Sequence, residues 1–133
     1  MRITKTWTKR VAANWKLWVE NSREAYHTDV AHLESYLRMG RRPDGKRFCA
    51  MGVPGVYEIN SGSLSTGIQV PENSRIPVFT GLSQEDLSHS HLAISYPLFL
   101  LNLLPNHMAY HQIFPEGPEA MTVVSGFCFA EST

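Results

Sequence analysis

At 133 residues, the chain has room for one domain and not two. With 43% apolar, 11% aromatic and 18% charged residues it excludes an intrinsically disordered coil. Twelve basic side chains against twelve acidic ones leave no net field to draw a polyphosphate backbone, so nucleic acid is excluded as an expected partner.

From Arg2 to Ala13, Ile, Trp and Val alternate with Thr, Lys and Arg, a period of two that predicts a half-buried strand. The period changes at Asn14, a candidate N-cap. Trp15, Trp18, Val19, Ser22 and Tyr26 fall at i, i+3, i+4, i+7 and i+11, one stripe of a helix, with Trp15 and Trp18 as core anchors. Gly40 to Arg47 is a basic, turn-rich loop. Together with Arg38 it carries Arg41, Arg42, Lys46 and Arg47, read as a solvated cluster. Between Met51 and Leu87, Gly and Pro interrupt every run, and only Gly55–Ile59 suggests a short strand. Three further strands are expected over Leu92–Leu104, His107–Phe114 and Ala120–Phe129. The last two are joined by the turn residues Pro115 to Glu119 as an antiparallel hairpin. A strand, a helical region and then several strands describe an α+β fold with helices against one face of the sheet.

Cys49 and Cys128 lie far apart and outside any CxxC pair, which argues against a disulfide framework or a thiolate zinc site. The amino terminus lacks the apolar run of a signal peptide, and no segment approaches ~20 apolar residues. A cytoplasmic protein with no membrane partner is the expectation.

The chemistry concentrates between Asn14 and His32. His27 and His32 are five residues apart, and on an unbroken helix at about 100° per residue they would point ~140° apart. Sharing one metal therefore requires a break between them, and Thr28 and Asp29 favour turn or cap conformations over helix interior. Neutral imidazole suits Fe, Zn, Cu and Ni; two His plus one carboxylate with open positions is the facial triad of non-haem Fe(II) oxygenases. Glu24, three residues before His27, is positioned to accept the ring N–H that His27 does not use for a metal. Two other histidine pairs have simpler readings. His89 and His91 belong to a surface segment, and His107 and His111 share a strand face among Met108, Tyr110, Ile113 and Phe114 as sheet packing.

Asn14-Trp15-Lys16-Leu17, Glu20-Asn21, Glu24-Ala25-Tyr26-His27 and His32 together resemble the NWKL…EN…(D/E)xxHxxxxH signature of the large (alpha) subunit catalytic domain of Rieske non-haem iron ring-hydroxylating oxygenases. The likeness continues through Tyr96-Pro97, Leu104-Pro105-Asn106-His107 and Phe114-Pro115-Glu116-Gly117-Pro118, and is loose from Gly40 to Ser90. The resemblance implies a helix-grip fold (START/Bet v 1-like), a curved antiparallel sheet with helices on one face around an apolar pocket. It implies Fe(II) on His27 and His32, Glu24 as the acidic bridge toward a neighbouring subunit's Rieske centre, and Asn21 near the active site. It also implies a [2Fe–2S] cluster, a ferredoxin or reductase as electron donor, O₂ and a small organic, often aromatic, substrate, and a homo-oligomer that is a trimer in the family.

The chain has no CxH…CxxH pair, so the ligands of the Rieske cluster are absent from it, and no residue maps onto the family's Asp ligand. Residues 1–133 are accordingly expected to be a partial, incomplete catalytic domain. Two other outcomes compete with an oxidoreductase: a non-catalytic helix-grip protein binding an apolar small molecule, with Tyr96, Phe99, Leu101 and Leu103 lining its cavity, and an inactive truncated homologue.

Overall fold

The computed structural model describes residues 1–24, 27, 30–34, 49–63 and 76–130. Among them are seven strands: β1 (Arg2–Val11), β2 (Cys49–Val53), β3 (Tyr57–Ser63), β4 (His89–Ser95), β5 (Phe99–Leu104), β6 (His107–Pro115) and β7 (Met121–Phe129). Two helices accompany them, α1 (Trp15–Arg23) and the short α2 (Gln84–Ser88). All pairings are antiparallel, in the order β1-β7-β6-β5-β4-β3-β2, so β1 closes onto the last strand while β2 to β7 form a meander. This antiparallel sheet with few helices is the α+β arrangement that the sequence motifs imply.

Cross-strand register divides the sheet into two faces. Ile94 pairs with Leu100, Leu100 with His111, His111 with Ser125 and Ser125 with Trp7, which puts one residue of each strand on the same side. Ile94, Leu100, Ile113, Met121 and Val123 are buried on that side, and Val19 of α1 inserts among them. Each such side chain contributes roughly 1.5–3 kcal/mol by leaving water. Asn14 starts α1 as foreseen, its side-chain oxygen accepting the Lys16 N–H at 3.0 Å. On the opposite face, Tyr110 lies over Gly126, where a Cβ would come within 2.6 Å of the ring.

The structure corrects several expectations. The run from Leu92 to Leu104 is two strands and not one. Tyr96-Pro97, joined by a cis peptide, falls in the turn between β4 and β5, where a proline without an N–H does not interrupt the ladder. The segment Gly55–Ile59 is displaced: Gly55, at φ 76°, belongs to the turn of a β2–β3 hairpin whose second strand runs from Tyr57 to Ser63. The capping box that starts α2, with Ser83 and Asp86 exchanging hydrogen bonds, was not anticipated. Phe99, Leu101 and Leu103 alternate onto the face opposite α1, as their register partners Tyr110 and Met108 do, so they do not line a cavity with the histidines. Finally, α1 ends at Arg23, short of Tyr26, because Glu24 is extended at φ −105°, ψ 164°. Tyr26, Thr28, Asp29, Arg38 and the basic loop lie outside the described residues.

Candidate metal centre and its cavity

Where α1 stops, the next turn is organised by Glu24. Its carboxylate accepts the backbone N–H of His27 at 3.0 Å and makes a short contact with Nδ1 of the same ring. The Ala31 N–H then donates to the His27 carbonyl at 2.6 Å, closing a turn that delivers His32. The two imidazoles end 5.3 Å apart between ring centroids, inclined at 76°. The convergence that an unbroken helix would forbid is thus achieved by a helix end before His27 and a bend at Ala31–His32. Glu24 reaches His27 across this break and not along a continuous helical face.

Two imidazoles on one metal, each with a metal–nitrogen bond of ~2.1 Å, bring their centroids to roughly 4.5–5.5 Å. The observed spacing fits. With the Glu24 carboxylate on Nδ1, the ring of His27 is set in the tautomer that offers Nε2 as a ligand. Among the described residues, no group of three or more His, Cys, Asp and Glu is disposed to hold a metal, so two nitrogens are what this turn supplies.

The pair opens onto a cavity of about 340 Å³ whose lining includes Trp18, Asn21, Glu24, Leu92, Asn102 and His111. Asn21 is on the exposed side of α1 at the cavity rim. His111 faces the cavity from β6, with Nδ1 2.8 Å from the buried Ser125 hydroxyl and the Trp18 ring 5.6 Å away. Burial pushes the His111 and His107 rings below the usual histidine pKa and keeps them neutral at pH 7.

On the other side of α1, Glu58 of β3 accepts hydrogen bonds from Arg23 Nε at 3.0 Å and from the Tyr96 hydroxyl at 2.8 Å. The guanidinium also sits 5.7 Å from the Tyr96 ring. Glu58 holds the Arg23 pKa above its ordinary value, while burial, and then the Glu58 hydrogen bond, raise that of Tyr96. This cluster ties the last residue of α1 to the sheet and so fixes where Glu24 begins. Sequence reasoning missed Glu58, Asn102 and Ser125. It set His91 and His111 aside: His91, read as part of a surface segment, is a half-buried residue of β4 that lines the cavity, and His107-x-Ala109-x-His111 already placed both rings and a small residue on one face.

The sequence matches the family profile described as ring hydroxylating alpha subunit (catalytic domain) over residues 1–133. A search of curated proteins finds no significant match. Among solved structures, the quaternary ammonium Rieske monooxygenase CntA in complex with L-carnitine superposes with a TM-score of 0.66 at 19% identity, covering 99% of this chain and 30% of that one. Its complex with gamma-butyrobetaine gives 0.64 at 19%, with 99% and 30% covered. A structure of a quaternary ammonium Rieske monooxygenase described in terms of carnitine oxidation by gut microbiota and inter-subunit electron transfer gives 0.65 at 16%, with 99% and 32% covered. The chain therefore spans about a third of the length of the structures it matches.

Proposed function

The chain belongs to the ring hydroxylating alpha subunit (catalytic domain) family, and we propose that its His27 and His32 hold a mononuclear non-haem Fe(II) for the O₂-dependent hydroxylation of a small organic substrate. The observation that carries this reading is the 5.3 Å approach of the two rings, with Glu24 bound to His27 Nδ1. Bound Fe(II) supplies O₂ binding and activation. The residues of the chain do the rest. His27 and His32 ligate. Glu24 holds the Nδ1 proton of His27 and so keeps the ring aimed. Asn21 flanks Glu24 at the rim, and Trp18, Leu92 and Leu100 give the substrate an apolar wall.

Electrons come, on this reading, from a Rieske [2Fe–2S] cluster whose ligands are not among these 133 residues, fed by a ferredoxin or reductase. Glu24 is the bridge toward that cluster in an assembly of several copies, and the remaining iron ligand is a carboxylate. The free, buried thiol of Cys128 suits a reducing cytoplasm. Among the described residues, no helix is long and apolar enough to cross a membrane.

Anaerobic Fe(II) titration tests the proposal. One equivalent is expected to bind, and His27→Ala and His32→Ala are each expected to weaken it at least tenfold. An affinity indifferent to both substitutions, or ligand binding with no metal dependence at all, would favour the non-catalytic pocket protein.

A further inference from the structure

The cavity beside the two imidazoles has a floor that iron binding does not use. Asn102 pairs with Ala109 and Leu100 with His111, so Asn102 and His111 are diagonal neighbours across β5 and β6, roughly 7–8 Å apart. Ala109, directly opposite Asn102, is buried and carries only a methyl group.

The His111 ring is held from two sides, by Ser125 at 2.8 Å on Nδ1 and by Trp18 at 5.6 Å. Its remaining polar atom, Nε2, is a donor if the Ser125 hydroxyl donates to Nδ1 and an acceptor if it accepts. Asn102 adds an amide that both donates and accepts. Groups held in place before a ligand arrives cost little to order on binding.

Charge narrows the ligand further. Among the described lining residues there is no Lys or Arg, and the Glu24 carboxylate is engaged by His27. An anion therefore finds no ammonium or guanidinium there, while Leu92, Leu100 and Trp18 offer an apolar surface.

We propose that His111 and Asn102 select a substrate with an apolar body and one uncharged hydrogen-bonding group of the carboxamide type, in preference to a plain hydrocarbon or an anionic analogue. This deepens the reading of the cavity as the substrate site and rests on it. The wider consequence is that the sheet, and not the metal turn, sets specificity: the turn supplies the reactive centre and the floor decides which molecule is held against it.

Binding of benzamide, toluene and benzoate to the purified protein, followed by tryptophan fluorescence with Fe(II) affinity measured on the same samples, tests this. Benzamide is expected to bind about tenfold tighter than the other two, the effect of one or two hydrogen bonds made in a partly dry site. His111→Phe and Asn102→Leu should each weaken benzamide roughly tenfold while leaving toluene unchanged or tighter, and His111→Gln should retain most of the preference. If His111→Phe does not fold, Asn102→Leu decides alone. Toluene or benzoate binding as tightly as benzamide, or benzamide affinity unmoved by Asn102→Leu, overturns the proposal. Loss of selectivity with Fe(II) binding intact rejects the floor alone. Selectivity that persists in a protein that binds no Fe(II) rejects the metal reading alone.

Discussion

Glu58 is the residue whose removal most directly probes how the metal turn is held. Its carboxylate is 18% exposed and accepts from Arg23, 43% exposed, and from the Tyr96 hydroxyl. The Arg23 pair, half in water, is worth under ~1 kcal/mol after solvent screening. The Tyr96 hydrogen bond goes to a charged acceptor in a drier setting and contributes about 1.5 kcal/mol. Glu58→Leu should therefore cost roughly 2 kcal/mol, and with a urea slope of about 1.5 kcal/mol/M the midpoint falls by about 1.3 M. Tyr96→Phe should cost about three quarters as much, and the double variant less than the sum, because the same bond is lost twice. Since the cluster anchors Arg23, and Glu24 follows at once, Fe(II) affinity should fall in Glu58→Leu under conditions where the protein remains folded. A midpoint within about 0.2 M of the parent, inside the usual extrapolation error, would refute the claim that this cluster pins the end of α1.

Other expectations follow from the same contacts. Gly126→Ala places a methyl 2.6 Å from the Tyr110 ring and should cost about 1–3 kcal/mol in thermal melts, with most of the loss recovered in a Tyr110→Ala background. Burial holds His107 and His111 below their unfolded value of about 6.5, so below that pH the unfolded chain takes up protons that the folded chain refuses. Asp86, lowered by its Ser83 hydrogen bonds, and Glu116, lowered by Thr122 and Arg10, act in the same sense at lower pH: their contribution is present above the ordinary carboxyl range and lost as pH falls through their depressed folded values. The melting temperature should decline from about pH 6.5 downward, with a shallower slope in His111→Gln; an unchanged melting temperature down to about pH 5 contradicts it. Glu24→Gln keeps one of the two bonds to His27 and should weaken Fe(II) binding ~10–100-fold by anaerobic titration, whereas an unchanged affinity would remove Glu24 from the site.

Much of the scaffold was legible because its signals are local. The alternation of Ile3, Trp7 and Val11 with polar residues marks β1, Asn14 marks the start of α1, and the turn residues from Pro115 to Glu119 mark the β6–β7 hairpin. The approach of His27 and His32 was also foreseeable, since helical geometry demands a break for their rings to meet; the described residues show a helix end at Arg23–Glu24 and a bend at Ala31–His32, while Thr28 and Asp29 lie outside them. Features built by pairing distant segments were hidden. Glu58, Asn102 and Ser125 come from three strands, and nothing near any of them in sequence names the partner it meets. The β4–β5 turn was concealed by a continuous apolar run, and only strand register shows that Leu100 faces the cavity while Phe99 and Leu101 turn away.

The most direct test of the account is pulsed electron paramagnetic resonance of the protein loaded with Cu(II) as a paramagnetic stand-in, with ¹⁵N-labelled histidine to identify the coordinating rings. Two coupled imidazoles are predicted in the parent, one in His27→Ala and one in His32→Ala. Retention of both couplings in either variant, or their absence from the parent, would contradict the claim that these two side chains grip one ion.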